Sequence, residues 1–182
     1  MLSRPKYDEN GKKVLCKMGG VNSEMNMDIY VKKLAAGEVL DICEDKNECA
    51  VLLLSGKVHF EVGEINEICQ RENPFEKKPY AVHFSRGTAA RITAIEPAEV
   101  LVQQTDNEKS WQPVFYNPQN CLYQEFGKGQ WGGAGHRIVS TMFDLDNAPY
   151  SNMVMGEVFN QPGKWSSYPP HHHPQPELYY YR

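Results

Sequence analysis

The sequence contains few cysteines and no long apolar run. Its five cysteines, at positions 16, 43, 49, 69 and 121, form an odd, widely spaced set without a CxxC pair. This pattern argues against a disulfide framework and against a thiolate zinc site, so we interpret the thiols as buried and reduced. No stretch approaches the roughly 20 apolar residues that a membrane-spanning helix needs. Residues 1–10 also lack the hydrophobic core of a secretory signal. These absences predict a cytoplasmic protein that does not bind a membrane.

An excess of positive charge is also missing. The net charge at pH 7 is −4, with 19 Lys and Arg against 23 Asp and Glu. Proteins that bind nucleic acid usually carry a basic surface, so the composition argues against a nucleic-acid partner. The glycine-rich segment 127–135 lacks the GxGxxG and GxxxxGKS/T spacings of phosphate-binding loops, and we expect it to supply flexibility. A small molecule or another protein is therefore the expected partner.

Short apolar segments separated by Gly and Pro turns fill most of the chain. Examples are 27–34, 80–84 and 136–143. Strands this short, at intervals of roughly ten residues, are typical of sandwiches and barrels and predict an all-β protein. The pattern also predicts four parts: an N-terminal arm or edge strand (1–24), a small β-barrel (25–105), a connector (106–135) and the start of a second β domain (136–182).

Two breaks inside the first barrel are expected to separate strands. Ser55-Gly56 lies between the apolar run 49–54 and the alternating segment 57–62, which predicts a hairpin with a tight turn. Glu96-Pro97 likewise lies between two strand-like segments. We therefore expect the barrel to consist of short strands.

The segment 165–182 contains the most distinctive chemistry of the sequence. His171 and His173 are two residues apart, so on an extended backbone both side chains can face one ion while His172 faces away. The prolines that follow favour a bend, after which Glu177 opens a strand-like run and can turn back toward the same ion. Two neutral imidazoles and a carboxylate suit a divalent cation. We interpret them as metal ligands rather than as a solvated polar loop or the remnant of a tag.

A degenerate internal repeat relates the first barrel to this histidine segment. In the first copy, the places of the three candidate ligands are taken by Asp41, Cys43 and Glu48. A thiol between two carboxylates suits no common metal well, so we interpret these residues as structural. His83, which is isolated on a strand-like segment, is also interpreted as structural.

The histidine segment resembles a known family. His171-x-His173-x-x-x-Glu177, preceded by Gly163, is similar to the first metal motif of cupins. Gly156-Glu157-Val158, together with residues 165–171 and 177–182, resembles the 5-deoxy-glucuronate isomerases, which are bicupin enzymes of inositol breakdown. The resemblance implies tandem cupin (double-stranded β-helix) barrels, the first of them free of metal. Because no later histidine supplies a fourth ligand, it also implies an incomplete second barrel in a C-terminally truncated chain.

The resemblance implies an aldose–ketose isomerisation in myo-inositol catabolism, from 5-deoxy-glucuronate to 5-dehydro-2-deoxy-gluconate. A divalent metal ion, zinc or manganese, would polarise the carbonyl and stabilise an enediolate. The general base is unassigned, with Tyr179, Tyr181 and a metal-bound water as candidates, and Arg182 is a candidate partner for the carboxylate of the sugar acid. Two alternatives stay open: a non-catalytic cupin module that binds a sugar acid or mediates homo-oligomerisation, and an iron-dependent cupin oxygenase.

Overall fold

The computed structural model describes residues 2–166 and 171–182 of the chain, and within them it is built from strands, two 3-10 turns and loops. The strands are β1 (Lys12–Cys16), β2 (Asp28–Leu34), β3 (Val39–Ile42), β4 (Asn47–Val62), β5 (Ile65–Arg71), β6 (Ala81–Phe84), β7 (Ala90–Asp106), β8 (Val114–Tyr116), β9 (Leu122–Phe126), β10 (Arg137–Phe143) and β11 (Met155–Asn160). The 3-10 turns are Ser23–Met25 and Gln130–Gly133. In the described part of the chain, no helix has the length and apolar character needed to cross a membrane.

The strands form two antiparallel sheets. The larger has eight strands in the order β1-β2-β7-β4-β6-β8, with β3 paired to β7 and β5 paired to β4. The smaller has three strands in the order β11-β10-β9. The all-β prediction is therefore confirmed. The four predicted parts stay a prediction; the larger sheet includes β1, which lies in the range 1–24, and β8, which lies in the range 106–135.

Two long bent strands organise the larger sheet. The predicted hairpin at Ser55-Gly56 is wrong, because β4 runs through this pair without a turn and lies against β7 along its length. Gly56 has a φ of +97°, and a Cβ there would lie 2.3 Å from the Pro97 carbonyl oxygen. The pairing shifts register at this point. The two backbones therefore cross closely at a bulge, which bends both strands where the sequence pattern suggested that they end.

The β4 strand is buried on both faces. Its odd-numbered residues from 49 to 53 belong to the core inside the larger sheet, which also contains Phe60 and Ile92. Its even-numbered residues from 50 to 54 belong to a second core, which they share with Met142 and Phe143 of β10. Burial on two faces explains why 49–54 reads as a continuous apolar run rather than an alternating one. It also fixes the smaller sheet against the outside of the larger one.

Candidate functional site

Residues 171–182 of the histidine segment lie beside the two sheets and are not part of either. The prediction that a strand opens at Glu177 is wrong, because residues 171–182 are not in a strand. The two prolines cannot donate ladder hydrogen bonds, and the segment instead packs its side chains on the larger sheet. Residues 167–170, which belong to the part that resembles the isomerases, lie outside the described residues.

The three predicted metal ligands lie near one another. The ring centroids of His171 and His173 are 5.7 Å apart. The Nε2 atom of His173 lies 3.5 Å from Oε2 of Glu177. His172 is exposed, as are the three candidate ligands. The bend after His173 therefore brings the carboxylate back toward the imidazole, in the manner that the spacing suggested.

The contacts of His173 fit those of a metal ligand. Its Nδ1 lies 2.8 Å from the backbone carbonyl oxygen of Gln175, which can only accept a hydrogen bond. Nδ1 therefore carries the proton in the neutral ring, and the lone pair of Nε2 points toward the Glu177 oxygen. Two acceptors that face each other at this distance repel unless a cation or a proton lies between them. Metal-ligating histidines are commonly held by a carbonyl in this way.

The ligand set is not closed in the described residues. Among residues 2–166 and 171–182, no group of three His, Cys, Asp or Glu side chains is arranged to hold a metal ion. The donor types and the His173–Glu177 pair fit a divalent cation. The His171 ring, whose centroid is 5.7 Å from that of His173, does not complete a three-ligand group within these residues. The assignment of all three residues as ligands stays a prediction.

The other residues predicted for the site lie on two sides of the same segment. Tyr179 and Tyr181 are 45% and 66% exposed, and their rings stack with centroids 6.1 Å apart. Glu177 is exposed as well. Arg182 lies on the inner side, where its Nη2 is 2.6 Å from Oε2 of Glu99 on β7. The guanidinium thus already pairs with a carboxylate of the chain, and its role toward a substrate stays a prediction.

An open groove lies between the two sheets and this segment. Its volume is about 1090 Å³, and its lining includes apolar side chains of β4 and β11 as well as residues 175–182. Gln103 and Thr105 of β7 and Glu157 of β11 add polar groups to its walls. The groove has the size and mixed lining of small-molecule sites. Glu177 reaches it, which places one candidate ligand at its edge.

A buried arginine that sequence reasoning missed supports the wall of this groove. Arg71, at the end of β5, is 0% exposed. Its guanidinium donates two hydrogen bonds to the Glu157 carboxylate, at 2.8 and 2.7 Å. It also donates to the backbone carbonyls of Leu53 and Lys77. Glu157 was noticed only as part of the Gly-Glu-Val motif, and nothing in the sequence pairs it with a residue 86 positions earlier.

A second buried pair ties the larger sheet to the loop before β11. Glu48 and His83 are both 0% exposed, and His83 Nε2 lies 3.2 Å from the Glu48 carboxylate. The same carboxylate accepts a hydrogen bond of 2.6 Å from the backbone N–H of Asn152. The His83 ring stacks on Phe143, with centroids 4.0 Å apart. The interpretation of Glu48 and His83 as structural agrees with these contacts.

The first copy of the degenerate repeat has no metal-site character in the structure. Asp41 pairs with Arg91 across β3 and β7, at 2.8 Å, and this guanidinium lowers the pKa of the Asp41 carboxyl. Cys43 is exposed, whereas Glu48 is buried against His83. The three side chains therefore serve three separate contacts.

Two antiparallel sheets around apolar cores, with a histidine pair and a carboxylate beside them, define an all-β protein. The family model described as KduI/IolB family matches residues 1–182, so the chain belongs to the KduI/IolB family. A solved structure described as an IolB-like protein from Salmonella typhimurium shares the fold. Its TM-score is 0.68 at 23% identity, over 76% of this chain and 52% of that chain.

Curated relatives carry the name that the sequence resemblance suggested. The 5-deoxy-glucuronate isomerase of Bacillus licheniformis is 29% identical over 185 residues, which cover 98% of this chain. That of Halalkalibacterium halodurans is 30% identical over 143 residues, which cover 77% of this chain and 52% of that protein. The chain spans 66% of the length of the Bacillus licheniformis protein.

Proposed function

We propose that this chain acts as a 5-deoxy-glucuronate isomerase, which converts 5-deoxy-glucuronate to 5-dehydro-2-deoxy-gluconate in myo-inositol catabolism. Membership of the KduI/IolB family and the names of the relatives support the reaction class. The structural observation that carries the proposal is the contact between His173 and Glu177, in which an imidazole lone pair and a carboxylate face each other at 3.5 Å.

In this reaction the open-chain aldehyde loses a proton from C2 and gains one at C1, while the hydroxyl proton of O2 is transferred to O1. A divalent metal ion, zinc or manganese, would stabilise the negative charge that develops on the oxygens. His171, His173 and Glu177 would hold it. Tyr179 and Tyr181 are exposed, as Glu177 is, so either phenol could exchange a proton with the substrate.

The carbonyl of Gln175 has a defined part in this proposal. By accepting a hydrogen bond from the Nδ1–H of His173, it favours the tautomer whose Nε2 lone pair is directed at Glu177. This contact orients the ligand before any ion arrives. Such outer contacts typically change metal affinity by about 10- to 100-fold when they are removed.

The proposal is tested by measuring ketose formation from 5-deoxy-glucuronate with the purified chain under anaerobic conditions, with and without added Mn²⁺ or Zn²⁺. We expect turnover that depends on the metal and is lost in His173→Ala, while His172→Ala keeps it. Oxygen consumption with Fe²⁺ in place of isomerisation would favour the oxygenase and overturn the proposal.

A second candidate function is a non-catalytic module that binds a sugar acid. It is favoured by the ligand set, which is not closed within residues 2–166 and 171–182. Binding of the sugar acid without turnover, in the presence of either metal, would select this module over the isomerase.

A further inference from the structure

A carboxylate in the middle of β7 contacts both the N-terminal arm and the histidine segment. Oε2 of Glu99 lies 2.6 Å from Nη2 of Arg182, and Oε1 accepts a hydrogen bond from the Tyr7 hydroxyl. The Glu99 side chain is 12% exposed and that of Arg182 is 27% exposed, so solvent screens this ion pair less than a fully exposed one. One carboxylate therefore joins two parts of the chain that are far apart in the sequence.

Two lysines fix the position of the arm beside this carboxylate. The ammonium groups of Lys13 on β1 and Lys33 on β2 lie 4.2 and 4.3 Å from the centroid of the Tyr7 ring, where a cation is attracted to an aromatic face. Lys33 lies directly opposite Glu99 in the ladder between β2 and β7. Burial and the hydrogen bond to Glu99 raise the pKa of Tyr7, so its hydroxyl stays protonated and donates to the carboxylate.

The same group of side chains attaches the end of the histidine segment to the fold. The Lys13 ammonium donates a hydrogen bond of 2.8 Å to the Tyr180 hydroxyl. Leu178 and Tyr180 are half-buried and pack against the second core, whereas Glu177 is exposed. Because residues 171–182 are not part of either sheet, side-chain contacts rather than ladder hydrogen bonds hold residues 178–182 in place.

The attached residues begin directly after a candidate metal ligand. Oε2 of Glu177 lies 3.5 Å from Nε2 of His173, and the backbone of Glu177 continues into the residues that Glu99 and Lys13 hold. A binding site is precise only when supporting contacts keep its ligands close to their bonding positions. Glu99 can therefore affect where Glu177 lies without touching it.

We propose that Glu99 is a positioning residue of the metal site. By binding Arg182 and Tyr7 together, it holds residues 178–182 against β1 and β7 and thereby keeps Glu177 beside His173. The N-terminal arm then contributes to the support of the site through Tyr7. This inference rests on the proposed function, since it requires that His173 and Glu177 bind a divalent ion.

The test is calorimetric titration of Mn²⁺ into the intact, metal-free chain and its variants. Glu99→Gln keeps the shape of the side chain and removes its charge, and we expect it to lower the Mn²⁺ affinity about tenfold. Arg182→Gln should cause a similar loss. Removal of a positive charge would by itself favour a cation, so a loss in Arg182→Gln reports position rather than charge. Tyr7→Phe keeps the ring and should cost about threefold.

A double variant and a matched control separate positioning from a general effect. Glu99→Gln and Arg182→Gln remove the same contact, so the double variant should lose no more affinity than Glu99→Gln alone. Glu96 lies on the same strand with a side chain that is 53% exposed, and it is 4.0 Å from the Lys57 ammonium. Glu96→Gln also removes one negative charge, and it should leave the Mn²⁺ affinity unchanged.

Release of the segment can be measured without any metal. Chymotrypsin cleaves after Leu178 and Tyr180 only when these residues leave the second core, and the rate follows the fraction of chains in which they do. Mass spectrometry of the metal-free chain should show cleavage about fivefold faster in Glu99→Gln than in the wild type and unchanged in Glu96→Gln. Urea denaturation checks that each variant is folded.

The outcomes separate this inference from the metal site itself. No Mn²⁺ binding by the wild-type chain would contradict the metal site and the positioning role together. Binding by the wild type that folded Glu99→Gln and Arg182→Gln leave unchanged would overturn the positioning role alone. An equal loss in Glu96→Gln would assign the effect to net charge and would also overturn it. If Glu99→Gln did not fold, Arg182→Gln and Tyr7→Phe would decide in the same way.

Discussion

The Arg71 guanidinium and the Glu157 carboxylate form a two-point ion pair, with N–O distances of 2.8 and 2.7 Å, that joins β5 of the larger sheet to β11 of the smaller one. The remaining N–H groups of Arg71 donate to the carbonyls of Leu53 and Lys77. Every donor of this buried cation is thus used. Since β11 leads toward the histidine segment, the pair fixes the strand from which that segment departs.

We expect Glu157→Ala to lower the free energy of unfolding by about 3 kcal/mol, because it leaves a buried guanidinium without its counter-charge. Urea denaturation at neutral pH measures the change. The matched control is Asp41→Ala, which breaks a solvent-exposed arginine–carboxylate pair and should have little effect. Equal effects of the two substitutions would show that the Arg71 pair does not hold the sheets together.

The pair between Glu48 and His83 predicts a similar loss. In His83→Leu the fully buried carboxylate keeps only the Asn152 N–H as a partner, and the stack on Phe143 is lost. We expect a loss of about 3 kcal/mol in the free energy of unfolding. The partly exposed His59, also on a strand of the larger sheet, is the control, and His59→Leu should cost less than about 1 kcal/mol.

The double variant Glu48→Leu/His83→Leu separates pairing from packing. It leaves no buried charge, so it should recover part of the stability that His83→Leu loses. The loss in the double variant is compared with the sum of the losses in Glu48→Leu and His83→Leu. If it exceeded that sum, the loss would come from packing rather than from an unpaired carboxylate.

The crossing at Gly56 predicts a position-specific cost for adding a methyl group. Gly37 also has a positive φ, of +82°, but nothing lies within 4 Å of the Cβ it would gain. Gly37→Ala should therefore cost roughly 1 kcal/mol, for the backbone alone. Gly56→Ala adds a clash with the Pro97 backbone and should cost about 3 kcal/mol or more. Thermal unfolding compares the two, and equal melting temperatures would contradict the close crossing.

These residues also mark where the sequence was sufficient to predict the fold and where it was not. Short apolar segments identified β2, β6 and β10 nearly to their ends, because local alternation and turn residues define them. The Ser55-Gly56 pair was misread because a glycine with positive φ serves equally in a turn and in a bulge. Only the Pro97 backbone on the opposite strand, 41 positions away, decides between them.

Burial of thiols predicts a loss of stability at alkaline pH. Burial raises the pKa of the Cys49 thiol from 9.0 to about 12. Below pH 9 both folded and unfolded chains keep the proton, and the contribution to stability is complete. As the pH rises toward 12, only the unfolded chain loses it, so the free energy of unfolding falls, by about 2 kcal/mol near pH 10.5. Urea denaturation at several pH values measures this decline. It should be shallower in Cys49→Ala than in the wild-type chain and unchanged in Cys43→Ala, where the thiol is exposed.

The candidate site could be predicted only in part, because local spacing is visible in the sequence and contacts between distant positions are not. The spacing of His171, His173 and Glu177 is local, and the structure brings the last two within 3.5 Å. The contact of Arg182 with Glu99 is not local, and the sequence offered only a substrate carboxylate as its partner. The positive φ of Trp131, +49°, was not expected in a glycine-rich segment that looked like a flexible connector. Its conformation depends on how the loop closes.

The most direct test of the proposed metal site is calorimetric titration of Mn²⁺ or Zn²⁺ into the metal-free chain and into four single variants. We expect one binding event that is lost in His171→Ala, His173→Ala and Glu177→Gln and retained in His172→Ala, since the spacing predicts that the central imidazole faces away. Equal loss in His172→Ala would mean that the ion binds a simple histidine cluster. Binding that survives in Glu177→Gln, or no binding to the wild-type chain, would contradict the site.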